Sequence, residues 1–132
     1  MNIELTALLF FSVMTLFMIL MQAIIAMNDY GLPYVLGNRD TPPGSESLLV
    51  NRLERAIRNN IESAIIFAPL ILIAAITHIS NMAIQWGAIV FVGSRLAYAF
   101  LYAFGISGVR TLIWNIGILA LGMIAIGIFL NP

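Results

Sequence analysis

The 132-residue chain contains no cysteine and no lysine, and only 9% of its residues are charged. Without cysteine it cannot form disulfides, thiolate metal sites or a cysteine nucleophile, so any thiol chemistry requires a thiol that a ligand supplies. A single histidine and scattered carboxylates do not make up a metal site, so we expect no bound metal. The net charge of zero argues against nucleic acid as a partner.

Hydrophobic residues make up 61% of the chain, and its mean hydropathy is +1.01. A soluble domain needs far more charge than this to cover its surface. The composition therefore predicts an integral membrane protein, and residues 1–132 are too few for two domains. The apolar start is similar to a secretory signal. It carries Glu4 in place of a positive charge and lacks a small-residue cleavage site, so we expect a retained helix.

Four largely apolar segments are long enough to cross a hydrocarbon core of about 30 Å, at about 1.5 Å per residue. We expect them to cover residues 5–27, 47–77, 81–104 and 109–130, with Ser47 as the N-cap of the second helix. A connection rich in glycine and proline joins the first two, and residues 105–108 form a tight turn between the last two. This order predicts an all-α membrane protein, built as an antiparallel bundle of four transmembrane helices.

Most of the arginines lie in the first and third loops or in the helix ends beside them: Arg39, Arg52, Arg55, Arg58 and Arg110. The opposite side has Glu4 and His78 but no arginine. By the positive-inside rule, we therefore expect both chain termini on the non-cytoplasmic side of the membrane.

The start of the second helix concentrates polar residues in an otherwise apolar chain. Eleven residues, from Arg52 to Glu62, include three arginines, two glutamates and two asparagines. A charge at mid-bilayer costs about 3 kcal/mol, so such groups mark functional sites by default. At 100° per residue Arg55, Asn59 and Glu62 share one helix face, with Arg52 and Arg58 beside it.

The third helix carries one charge, Arg95, followed on the same face by Tyr98 and Tyr102. Arg95 lies about nine residues from the end of that helix, or about 14 Å deep. Because the helices are antiparallel, Glu62 reaches a similar depth from the same side. An ion pair between Arg95 and Glu62 is therefore expected, since it offsets most of the cost of burial.

Arg110 opens the fourth helix at the same membrane face, with Trp114 one turn later. If the polar groups converge, five arginines against two glutamates leave a surplus of three positive charges. Such a surplus in low dielectric favours an anionic ligand, and arginine suits carboxylates. Plainer interpretations stay open for each group. They are Arg52 and Glu54 as a solvated helix start, Arg55 with Glu62 as a structural network between helices, Arg95 as a packing residue in an ion pair, and Tyr98 and Tyr102 as core or interface tyrosines.

The second helix also contains a spaced motif: Arg52-x-x-Arg55-Ala56-x-Arg58-Asn59-x-x-Glu62, followed by Phe67. This motif resembles the signature of the MAPEG family, the membrane-associated proteins in eicosanoid and glutathione metabolism. The chain length, the four spans, the long first loop and the placement of Arg95, Tyr102 and Arg110 are similar as well. The loop at residues 37–42 resembles the general bacterial branch of that family.

The resemblance implies a homotrimer in a bacterial inner membrane, with three glutathione sites at subunit interfaces that open to the cytoplasmic face. It implies glutathione as the co-substrate, bound by Arg58, Asn59, Glu62, Tyr98, Tyr102 and Trp114. In the same comparison, Arg110 and Thr111 correspond to the groups that stabilise the glutathione thiolate. Arg52, Arg55 and Arg95 correspond to a supporting network of ion pairs.

These observations predict a membrane-embedded glutathione transferase, or a peroxidase, that acts on lipophilic electrophiles entering from the bilayer. Two alternatives remain. One is a non-catalytic protein on the same fold that binds lipid or glutathione. The other is a small multidrug exporter, in which an intramembrane carboxylate couples protons to drug cations. The surplus of arginines speaks against the exporter, because it would repel a cationic drug.

Overall fold

The computed structural model describes residues 1–130, and this part of the chain contains five helices. They are α1 Ile3–Tyr30, α2 Leu32–Leu36, α3 Leu48–Ile76, α4 Met82–Ala103 and α5 Gly108–Phe129. All but α2 are long and apolar enough to cross a membrane. The predicted all-helical architecture with four spans is therefore confirmed, and the four long helices begin and end within a few residues of the expected positions.

Helix α2 is absent from the sequence-based prediction, which treated its residues as a helix-breaking connection. It has only five residues and begins between two such breakers, Gly31 and Pro33. Proline is well tolerated in the first turn of a helix, because the N–H group that it lacks has no partner there. The breakers therefore end α1 and start a new short helix.

Side-chain caps fix where the long helices begin. The Ser47 hydroxyl oxygen accepts a hydrogen bond from the Val50 backbone N–H, so the predicted N-cap of the second span is confirmed. The same hydroxyl donates to the Asp29 carboxylate, which connects the start of α3 to the end of α1. Asn81 caps α4 and donates to the Gly127 carbonyl at 2.8 Å, which connects the start of α4 to the end of α5.

The core of the bundle is aromatic. Phe11 of α1, Phe67 of α3 and Phe91 of α4 have ring centroids 4.3–5.5 Å apart, and all three rings are buried. Inside a bilayer the lipid tails are as apolar as these side chains, so the hydrophobic effect does not drive helices together. Close packing of this kind drives their association instead. Phe67, the phenylalanine of the spaced motif, therefore has a structural role at the centre of the bundle.

Glu4 is buried at the end of the bundle that holds the N-terminus, with 1% of its surface exposed. Its Oε1 accepts a hydrogen bond from the Ser80 hydroxyl at 2.5 Å, and Gln85 donates to the same hydroxyl at 3.1 Å. These bonds connect the first turn of α1 to the segment between α3 and α4. The polar residues from Arg52 to Glu62 lie in the first half of α3, towards the opposite end of the bundle.

Candidate functional site

At this opposite end, where α4 finishes and α5 begins, Tyr98, Tyr102 and Arg110 lie side by side. The two tyrosine ring centroids are 5.6 Å apart, and the Arg110 guanidinium carbon lies 4.3 Å from the centroid of the Tyr102 ring. This distance is within the range of a cation–π interaction. Tyr102 therefore holds the Arg110 side chain against the end of the bundle.

A cleft of about 270 Å³ opens beside these residues, lined by Tyr98, Arg110, Thr111 and Trp114. All four were predicted to bind glutathione or to act on it, and the structure brings them together. None of these lining residues is a carboxylate. Arg110 and Thr111 are the third and fourth residues of α5, whose N-cap, Ser107, makes no side-chain hydrogen bond to the helix. The positive end of the α5 dipole therefore lies at the cleft.

Arg95 lies deep in the bundle beside this cleft, with no exposed surface. Its guanidinium donates to the Ser63 hydroxyl and to the Trp114 carbonyl, both at 3.3 Å. It also lies 5.7 Å from the ring centroid of Tyr98. Gly117 is required next to it, because a Cβ at that position would overlap the guanidinium. A buried positive charge thus lies directly behind two walls of the cleft, Tyr98 and Trp114.

The predicted ion pair between Arg95 and Glu62 is wrong within this protomer. Glu62 is exposed on the outer side of α3, whereas its neighbour Ser63 lies on the buried side and receives the guanidinium. One residue corresponds to about 100° around a helix, so the two positions face different directions. In residues 1–130 the single ion pair within 4.0 Å joins Arg58 to Glu54, at 3.3 Å on the surface.

The predicted ion-pair network of Arg52, Arg55 and Arg95 likewise does not form between residues 1–130, where none of the three meets a carboxylate. The Arg52 guanidinium instead lies against the backbone of Gly105, in the turn between α4 and α5. A Cβ on Gly105 would come within 2.6 Å of it, and the backbone φ of +73° also favours glycine. Arg52 therefore places its charge at the negative end of the α4 dipole.

Asn59 connects the motif of α3 to the cleft. The Trp114 indole N–H donates to Asn59 Oδ1 at 3.2 Å, and the Ser63 hydroxyl donates to the Asn59 carbonyl at 2.7 Å. Together with Arg95, these residues form a polar network that joins α3, α4 and α5. Sequence reasoning missed Ser63, although its small polar side chain four residues after Asn59 was a detectable signal.

Three charged residues of the motif, Arg55, Arg58 and Glu62, are exposed on the outer surface of α3. Glu62 acts electrostatically on Tyr98, which lines the cleft. The structure therefore brings Asn59, Tyr98, Arg110, Thr111 and Trp114 together. It leaves Arg55 and Arg58 facing away from the rest of the protomer.

A second, apolar cleft of about 380 Å³ lies between α1, α3 and α4. Its lining includes Met18, Leu53 and Phe100, and all its lining residues are apolar. As for metals, the part of the chain that the structure describes contains no group of three or more metal-ligating side chains.

Comparison with known protein families gives a match. The model of the MAPEG family matches residues 4–130, nearly the whole chain, and the matched region contains every residue of the cleft and of the polar network. The resemblance found in the sequence is therefore confirmed. No match was found among curated proteins or among solved structures.

Proposed function

Because the chain belongs to the MAPEG family, which includes glutathione transferases, we propose that it is a membrane-embedded enzyme that conjugates glutathione to lipophilic electrophiles. It is an integral membrane protein, as its family and its four long apolar helices indicate. The proposal rests mainly on one observation. The cleft combines Arg110 and Thr111 with no carboxylate among its lining residues.

Electrostatics favour an anion in this cleft. Arg110 faces it directly, the N-terminus of α5 points towards it, and Arg95 lies behind its walls without a carboxylate partner in the described residues. Each of these features lowers the energy of a negative charge placed there. The thiolate of glutathione is such a charge, and the chain has no thiol of its own.

The chemistry follows from this environment. A free thiol is mostly protonated at neutral pH, and a neighbouring cation lowers its pKa so that the thiolate becomes available. In our proposal, Arg110 stabilises the thiolate sulfur and the Thr111 hydroxyl donates a hydrogen bond to it. The thiolate then forms a bond to the electrophilic carbon, and the electron pair leaves with the leaving group or moves into the conjugated system.

The remaining groups of glutathione need other partners. Arg58 offers a guanidinium for a carboxylate, and Glu62 offers a carboxylate for the ammonium group; both side chains are exposed on α3. In our proposal, Asn59, Tyr98, Tyr102 and Trp114 complete the binding surface. The second substrate enters from the bilayer, and the cleft brings its reactive atom close to the sulfur.

We further propose that the site is completed between subunits of a homotrimer. Charged side chains on a spanning helix are costly when they face lipid, yet Arg55, Arg58 and Glu62 point out of the protomer. The cleft of one subunit, about 270 Å³, is also smaller than the roughly 300–1,000 Å³ of typical ligand pockets. Native mass spectrometry in several mild detergents tests this, and a monomer in all of them would contradict it.

Calorimetry with the purified protein in lipid nanodiscs tests glutathione binding. We expect saturable binding of glutathione and of S-methylglutathione, which keeps the carboxylates and the ammonium group but lacks the thiol. Turnover is then measured with a lipophilic electrophile. If neither peptide binds, the proposal is wrong.

The second apolar cleft favours one other candidate function. A space of about 380 Å³ with only apolar lining suits an acyl chain, as expected for a non-catalytic protein that binds lipid. Turnover separates the two candidates: glutathione binding without any conjugation or peroxidase activity would favour the non-catalytic protein.

A further inference from the structure

The Asn59 side chain has no exposed N–H group that could donate a hydrogen bond to a ligand. Its Oδ1 accepts from the Trp114 indole N–H at 3.2 Å, and its Nδ2 is buried without a hydrogen-bond partner among residues 1–130. An indole nitrogen can only donate, so the amide atom that faces it must be the oxygen. The orientation of the amide is therefore fixed by chemistry, and its donor group points into the protein.

Two further hydrogen bonds fix Trp114 and Asn59 in this arrangement. Trp114 is fixed through its backbone carbonyl, which accepts from the buried Arg95, and Asn59 is fixed through its backbone carbonyl, which accepts from Ser63. The cost falls on Asn59 Nδ2, because an unsatisfied buried donor is unfavourable and rare in native proteins. Such a group gains a partner if the side chain turns towards an acceptor outside.

We propose that the Trp114–Asn59 hydrogen bond is the closed state of the site, and that glutathione engages Asn59 only after this bond breaks. The inference rests on the proposed function, and it names a residue that regulates glutathione affinity at that site. A carboxylate or amide oxygen of glutathione is the acceptor that Nδ2 lacks. Trp114 and the ligand then compete for Asn59, and the apparent affinity is reduced by the fraction of closed protein.

The sharpest test is Trp114→Phe, which keeps an aromatic wall in the cleft and removes the indole N–H. If Trp114 competes with the ligand, the variant binds glutathione about two- to tenfold more tightly, the range expected for losing one neutral hydrogen bond. Weaker binding would overturn the proposal, because Trp114 would then support the bound state. Unchanged affinity would overturn it as well.

A second test leaves Trp114 in place. The chain has two tryptophans, and Trp86 is exposed on α4, nine residues before Arg95, so Trp86→Phe leaves Trp114 as the single indole. In ¹⁵N-labelled protein, saturating glutathione should move the Trp114 indole N–H resonance upfield, as expected when it loses its acceptor. A resonance that does not move would show that the bond persists in the complex.

A double-mutant cycle connects the effect to Asn59. In an Asn59→Ala background, Trp114→Phe should no longer tighten glutathione binding, because the amide for which Trp114 and the ligand compete is absent. The same gain in both backgrounds would overturn the proposal. If wild type binds glutathione but Trp114→Phe binds no more tightly, only the closed state is wrong. If neither binds, the proposed function is wrong and the closed state with it.

Discussion

The guanidinium of Arg110 lies 4.3 Å from the ring centroid of Tyr102, so the last turn of α4 holds the first charged side chain of α5. Tyr102 contributes a π face to this contact and no opposing charge. The full positive charge of Arg110 therefore remains available to an anion in the cleft.

We expect Arg110→Ala to raise the thiol pKa of bound glutathione by about one unit, equivalent to about 1.4 kcal/mol, because the thiolate loses its nearest cation. Turnover with a model electrophile should fall, while glutathione affinity changes little. Ultraviolet thiolate absorbance followed during a pH titration measures the shift. Arg39→Ala, which removes an arginine in the first loop, is the matched control. An unchanged titration in Arg110→Ala would leave Arg110 without a role in the chemistry.

Arg58→Ala should weaken glutathione binding by at least about 1.5 kcal/mol, the low end for a hydrogen bond to a charged group. The structure supplies a control, because Glu54 is the present partner of Arg58 at 3.3 Å on the surface. Surface ion pairs contribute only about 0–1 kcal/mol, so Glu54→Gln should leave glutathione affinity nearly unchanged. Calorimetry measures both variants. Equal losses in the two would mean that the surface pair, and not a ligand contact, decides the affinity.

Gly117→Ala should destabilise the protein by about 1–3 kcal/mol, since the added Cβ would overlap the buried Arg95 guanidinium. Gly122 on the same helix has open space around its position, so Gly122→Ala should be neutral or slightly stabilising. Thermal unfolding in detergent compares the two variants. If both change the midpoint equally, close packing around Arg95 is not the cause.

The absence of cysteine makes the chain a ready background for mapping its topology. We expect single cysteines at Asn2 and Asp40 to react with a membrane-impermeant thiol reagent from opposite sides, with position 40 on the cytoplasmic side. A cysteine at Ser45 should label like the one at Asp40. Labelling of positions 2 and 40 from the same side would contradict the orientation that the arginines predict.

The four spans and the N-cap of α3 were predictable because their causes are local. A run of apolar residues long enough for the bilayer and a serine before it are visible in the sequence alone. The family resemblance likewise depended on residue spacing along one helix. The convergence of Arg110, Thr111 and Trp114 with Tyr98 followed from antiparallel helices that place these positions at one end.

The partner of Arg95 was not predictable in the same way. Depth along the helix suggested Glu62, but the rotation of α3 about its axis decides which side chain faces α4, and packing sets this rotation. Position 63 faces inward because Phe67 and Ala56 on the same side are buried in the core. The hydrogen bond between Trp114 and Asn59 also depends on how α5 sits against α3, which no local pattern records.

The buried guanidinium of Arg95 bears on how the chain enters the membrane during synthesis. An arginine at the centre of an isolated helix costs about 2.5–3.5 kcal/mol on insertion scales. The helix that carries Arg95, α4, is also the least apolar of the four spans, so its insertion alone is unfavourable. The hydrogen-bond acceptors of Arg95 lie on the helices before and after α4 in the chain: the Ser63 hydroxyl on α3 and the Trp114 carbonyl on α5. Ser63 is already made when α4 leaves the ribosome, whereas Trp114 is not. We therefore expect stable entry of α4 into the bilayer to require α3 beside it, and to be complete only after α5 has followed.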